Sequence, residues 1–138
     1  MYSSKVIFTL LLLLSSFTTS FAQEELNYKV YFEEIEGIVR ANSSRGLGDH
    51  LFDKVEIKID GNRKEYSKNQ AEAVLKNFFQ DNSATQFDFV HDGKNGAQDL
   101  IYAIGDFVTS SSTYRLVMRA KKFEDTYKIF RIEFTKER

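Results

Sequence analysis

A handful of side chains in this sequence are of the types that do acid–base chemistry: His50, His91, Asp88, Asp106, Tyr102 and Tyr114. A carboxylate or imidazole with a tuned pKa can move a proton, and a tyrosine hydroxyl can hold negative charge where it develops. Spacing alone places no two of these groups in one pocket. His91 and Asp92 fall where an alternating segment runs into a loop, which suits a turn or a structural hydrogen bond more than a base. No catalytic set is assigned: His91, Asp106 and Tyr102 are the candidates. Tyr102, Tyr114 and Phe78 are the candidates for ligand contact, with the tyrosines read as wall residues rather than acids.

A second constellation is cationic. Arg115, Arg119 and Arg131 could line one sheet face beside Glu133. Such a face either binds an anion or carries cross-strand salt bridges on a solvated or dimer-facing sheet, and the second reading is favoured. Asp92, Asn95 and Asp99 do not have EF-hand spacing and lack its closing Glu. Two distant histidines and no cysteine argue against a transition-metal site. Neither a metal nor a cofactor is expected. Asn42-Ser43-Ser44 has the form of a glycosylation sequon but reads as a helix stop. A glycine-rich phosphate loop and a nucleophile motif of the G-x-S-x-G type are both absent.

The elements that must position these groups are legible in part. Leu100 to Phe134 reads as three antiparallel strands: LIYAIGDFVT, TYRLVMRAK and YKIFRIEF. In the middle one, Tyr114, Leu116, Met118 and Ala120 alternate with Arg115, Val117 and Arg119. In the last, strict alternation sets Lys128, Phe130, Ile132 and Phe134 against Tyr127, Ile129, Arg131 and Glu133. A sheet with one apolar face needs cover.

Upstream segments supply it. Val30, Tyr31, Ile35, Ile38 and Val39 have helical spacing, weakened by Gly37. Arg45 to Phe52 reads as a short helical turn with Leu47, Leu51 and Phe52 inward. Val55 to Ile59 alternates as a strand and runs into an Asp60-Gly61-Asn62 turn and a loop. Ser67-Lys68-Asn69-Gln70 is a capping box, opening a helix with Ala71, Val74, Leu75, Phe78 and Phe79 on one stripe. Phe87, Phe89 and His91 suggest one more strand. Early helices and late strands argue α+β.

The first 22 residues read as a cleaved leader. Lys5 precedes an apolar run from Val6 to Leu14, and Ser20-Phe21-Ala22 sets small residues where a signal peptidase reads. That run is about half the ~20 residues a membrane span needs, so no stable insertion is expected after cleavage. Residues 23–138 then form one domain. Losing Lys5 takes the 19 basic residues to 18 against 20 acidic, which is no footprint for nucleic acid. With no cysteine, such an exported domain is held by core packing alone.

The ordered set Tyr66-Ser67-Lys68-Asn69-Gln70-Ala71-Glu72, Leu75-Lys76-Asn77-Phe78-Phe79, His91 with Gly93, Tyr102-Ala103-Ile104-Gly105, Tyr114-Arg115 and Arg131-Ile132-Glu133 resembles the DUF4783 family of exported bacterial proteins. That family lies in the NTF2-like, cystatin-like superfamily. The resemblance implies an α+β cone: a curved antiparallel sheet packed on two to three N-terminal helices. It implies a periplasmic or secreted location and supplies no reaction. Some NTF2-like proteins are isomerases or dehydratases with an Asp or His and tyrosines inside the cone. Others pair through their sheets. The expectation is therefore a non-catalytic domain that binds a small apolar ligand or a protein partner. An isomerase-type enzyme and a homodimeric assembly module are the alternatives.

Overall fold

The computed structural model describes residues 27–97 and 99–138, so the proposed leader lies outside the described residues. The chain divides into two compact units, residues 1–31 and 32–138. In the first, Lys29 Nζ lies 5.8 Å from the centre of the Tyr28 ring. The second holds the sheet.

Helix α1 covers residues 27–40. Within the second unit it buries Phe32, Ile35 and Val39, a three-to-four-residue spacing that makes one stripe. It ends in a Schellman motif. Asn42 takes the left-handed conformation (φ 53°), the Ser43 N–H reaches Ile38 O and the Asn42 N–H reaches Val39 O. The Asn42 amide then clamps a distant loop: Ala84 N donates to Oδ1 at 2.7 Å and Nδ2 donates to Ala84 O at 3.3 Å. The sequon asparagine is thus a structural tie.

Helix α2 (Ser44–Gly48) is capped by Ser43, whose Oγ accepts from Gly46 N at 3.0 Å. Strand β1 (Leu51–Ile59) follows. Leu51 is therefore the start of a strand and not part of a helix, and it is buried while Phe52 is half-exposed. Asp60 and Gly61 both have positive φ, as a two-residue hairpin turn requires. The chain then returns as β2 (Asn62–Ser67), where the sequence suggested only a loop. This edge strand is exposed along most of its length, so its residues NRKEYS carry no apolar alternation to read.

Helix α3 (Lys68–Asp81) opens on the expected capping box: Ser67 Oγ accepts from Gln70 N at 3.3 Å and Gln70 Oε1 accepts from Ser67 N at 3.2 Å. It buries Ala71, Leu75, Phe78 and Phe79. Strands β3 (Gln86–Asn95), β4 (Leu100–Val108), β5 (Thr113–Phe123) and β6 (Thr126–Lys136) complete the curved, open sheet. Its order is β2-β1-β6-β5-β4-β3. All pairs are antiparallel except β1 with β6, which are parallel. This one parallel ladder is the departure from the expected antiparallel sheet.

The inner face carries Leu51, Val55 and Ile57 of β1, Ile129, Ile132 and Phe134 of β6, Leu116 and Met118 of β5, and Phe107 of β4. Rings fill the space between them and α3. Phe78 lies 4.1 Å from Phe134, 5.8 Å from Phe107 and 5.4 Å from Tyr114, centre to centre. Phe79 stacks on Phe107 at 5.9 Å and Phe87 meets Phe107 at 6.2 Å. Burying a phenylalanine is worth about 1.5–3 kcal/mol, so this cluster supplies a large share of what holds helix to sheet.

Side chains of α1 reach the free edge of β3 at residues 87 and 89. Glu36 Oε2 accepts from Phe89 N at 2.8 Å, and Arg40 Nε donates to Phe87 O at 2.7 Å. Two of the groups a foreign strand would pair with, near the start of β3, are thereby taken.

Candidate functional site

Period-two alternation fails in β6, and the pairing of β1 with it is irregular at the same level. Arg119 pairs with Arg131, and the next residue of β5, Ala120, pairs with Ile129. Phe130 is therefore an extra residue, a β-bulge. Tyr127 and Ile129 share the buried face with Ile132 and Phe134, whereas Lys128 and Phe130 are only half-buried. This corrects the alternation expected for the last strand. At the same level β1 is irregular too: Leu51 pairs with Ile129 but Glu56 pairs with Arg131. Phe52 follows the buried Leu51 and so has the parity of the outer face.

As a result aromatic rings gather outside. Phe52 meets Phe123 edge-on at 5.6 Å, and Lys128 Nζ lies 4.4 Å from the centre of the Phe123 ring. Phe52, Asp53, Lys54, Lys121 and Phe130 line an open groove of about 410 Å³ whose walls present almost no polar atoms. On the other side of Phe130 lies a smaller hollow of about 210 Å³, lined by Asn95, Leu100, Ile101, Tyr102, Arg119 and Phe130.

The residues singled out from sequence divide between the two faces. Phe78 and Tyr114 are inside, within the ring cluster. The Tyr114 hydroxyl donates to Asn82 Oδ1 at 3.1 Å, and Asn82 N in turn donates to Phe78 O, so Tyr114 ties β5 to the end of α3. Burial pushes the Tyr114 hydroxyl's pKa up, and the Asp60 carboxylate adds to the shift.

Tyr102, His91 and Asp106 have the register of the outer face. The Tyr102 hydroxyl and His91 Nε2 are 3.4 Å apart, with ring centres at 5.9 Å. Asp106 stands opposite Asp88 on one side and Arg115 on the other. Asp88 is bound to Arg40, which also holds Glu36 at 2.8 Å. His50 lies elsewhere, its Nε2 3.6 Å from Glu34 Oε1. Tyr102 is thus brought to His91 and kept from Phe78 and Tyr114. Among the described residues no three His, Cys, Asp or Glu side chains come together.

Two glycines explain how the outer residues lie. A Cβ on Gly93 would collide with the Tyr102 ring, its partner across the ladder, so the ring lies over bare backbone. A Cβ on Gly105 would stand 2.5 Å from Asp88 O and 2.8 Å from Phe87 Cε2, so β3 and Phe87 close onto β4 only because that position is glycine. Reasoning from the sequence missed Phe52, Phe123 and the outward turn of Phe130. A signal was present in β6: apolar residues at 127 and 129, then at 130, 132 and 134, change parity in mid-strand.

Helices on one face of a curved, open six-stranded sheet define the NTF2-like, cystatin-like class. The chain belongs to the DUF4783 family, a domain of unknown function, whose model matches residues 32–135. It is similar to the crystal structure of a DUF4783 protein from Bacteroides uniformis, at 25% identity and TM-score 0.72, over 77% of this chain and 96% of that one. The similarity to a DUF4783 protein from Bacteroides ovatus is of the same kind: 26% identity, TM-score 0.72, 76% of this chain and 94% of that one. An NTF-2-like protein of unknown function from Silicibacter pomeroyi shares the fold at 9% identity and TM-score 0.58, over 84% of this chain and 98% of that one. No curated protein matches.

Proposed function

We propose that this chain is an exported, non-catalytic binding domain, and that it takes a small apolar ligand on the outer face of its sheet. The observation that carries the reading is where the space lies. The inner side is occupied by Phe78, Phe79, Phe107 and Phe134, whereas an apolar groove of about 410 Å³ opens outside, between Phe52 and Phe130. That volume is within the range of small-molecule clefts, and its few lining residues fall far short of the 20–30 per side of a stable protein interface. Bulges re-aim side chains next to functional sites, and here one of them turns Phe130 outward.

An isomerase-type reading draws less support. It needs an acid–base group and a tyrosine converging on an apolar cavity. Tyr114 has only Phe78 of the other candidates near it, and His91, Asp106 and Tyr102 are on the opposite face.

The test is a titration of the ¹⁵N-labelled protein with neutral apolar compounds such as octanol. Resonance shifts confined to Phe52, Lys121, Phe130 and their neighbours are expected, and Phe130→Ser should abolish them in a folded protein. Shifts at Leu116 and Phe134 instead would overturn the reading. So would turnover of any compound that one substitution at His91 or Asp106 stops. Self-association that Phe130→Ser removes, seen by sedimentation at rising concentration, would assign the face to a second copy. For export, expression with the leader intact should yield a mature chain beginning at Gln23.

A further inference from the structure

The outer face carries more positive charge than its carboxylates neutralise. Glu56 is shared by two arginines, Arg63 Nε at 2.8 Å and Arg131 at 3.4 Å. Glu133 is held by Lys58 at 3.3 Å. Arg115 has Asp106 beside it in register and Glu137 at 3.9 Å. Arg119 has none of this. Its partners across the two ladders are Tyr102 and Arg131, a ring and a like charge, and among the described residues no carboxylate pairs with it. Like charges directly opposed across a sheet are unfavourable unless a counter-ion lies close. Glu56 serves Arg131 and leaves Arg119 without one.

Arg119 also borders the hollow of about 210 Å³, together with the Asn95 amide, Tyr102 and the apolar Leu100 and Phe130. A guanidinium without a carboxylate partner matches a carboxylate, which accepts two parallel hydrogen bonds from it. The hollow is smaller than an ordinary small-molecule cleft, so it suits a head group rather than a whole ligand. Phe130 lines this hollow and the larger apolar groove alike. A ligand with its charged end at Arg119 would lay its apolar body across Phe130 toward Phe52.

We propose that the hollow between β4, β5 and β6 binds the carboxylate of a small amphiphilic acid, with Arg119 as the cation that selects it and Phe130 as the ridge its apolar body crosses. This rests on the reading of the outer face as the binding face and adds the ligand's chemical class. Arg119 is exposed, so the charge supplies selectivity more than affinity. The acid should bind about three- to tenfold tighter than its neutral analogue.

Octanoate and octanol, titrated separately into the ¹⁵N-labelled protein, test this directly. Octanoate should shift the Arg119 side-chain Nε–H together with Phe52 and Phe130, bind tighter than octanol, and lose that advantage in Arg119→Gln. Added salt should weaken octanoate and leave octanol unchanged. Equal binding of the two at Phe52 and Phe130 would overturn the carboxylate assignment and leave the outer-face reading standing. Silence of the outer face toward both would overturn both. A further arm uses a short peptide with an apolar last residue, free-ended or amidated. Selectivity for the free-ended form without a response to octanoate would give the hollow to a chain end and overturn the small-acid assignment.

Discussion

The Tyr102 ring lies across Gly93, its partner on the neighbouring strand, at a distance that leaves no room for a Cβ. The ring covers the glycine's backbone, and the glycine lets the ring lie down toward His91. Gly93→Ala should displace the half-exposed Tyr102 ring and cost up to about 1 kcal/mol of stability, measured by chemical denaturation. The same change made in Tyr102→Ala should cost much less, because the obstacle is gone. Additive effects in this double-mutant cycle would refute the contact.

Gly37 sits on the exposed side of α1, and a Cβ there would meet nothing within 4 Å. Gly37→Ala should therefore stabilise the protein by about 0.5–1 kcal/mol, seen as a higher denaturation midpoint at unchanged slope.

Asn42 does two jobs: it adopts positive φ at the end of α1, and its amide clamps Ala84. The substitutions separate them. Asn42→Gly keeps the conformation and loses the clamp, at a cost of about 1–2 kcal/mol. Asn42→Ala loses both and should cost about 1 kcal/mol more. Equal effects in thermal unfolding would mean that the conformation contributes nothing.

Tyr114 gives a signed pH dependence. Its hydroxyl titrates higher when folded than the ordinary value of 10.0, chiefly because it is buried. The stability that comes from keeping it neutral is full below pH 10.0. It is lost as pH rises from there through the folded pKa, because the unfolded chain gives up the proton first. Denaturation midpoints should fall above that pH, and Tyr114→Phe should fall less steeply. At neutral pH the same substitution should cost about 1 kcal/mol for the lost bond to Asn82.

How far the sequence could be read depended on whether packing obeyed one period. Strand β5 keeps strict alternation, and Tyr114, Leu116, Met118 and Ala120 are all buried as read. The capping box at Ser67 and Gln70 was legible because it is local chemistry. Strand β2 was not, because an exposed edge needs no apolar residue. Strand β6 was misread from Tyr127 to Phe130, because one inserted residue exchanges the faces there. The candidate outer site stands on that insertion and on Phe52, which was read as part of a helical turn although it belongs to β1. Several residues behind the family resemblance turn out to be architectural. Ser67 and Gln70 start α3, Gly93 seats Tyr102, and Gly105 lets two strands close.

The position of β6 between β1 and β5 has a consequence for synthesis. A nascent length that ends between Phe123 and Thr126 holds a hairpin and a three-stranded ribbon with a vacant lane between them. Contacts so distant in sequence close late, so the sheet waits for its final strand to emerge. On the ribosome the two halves therefore stay unjoined until Thr126–Lys136 is free to slot in.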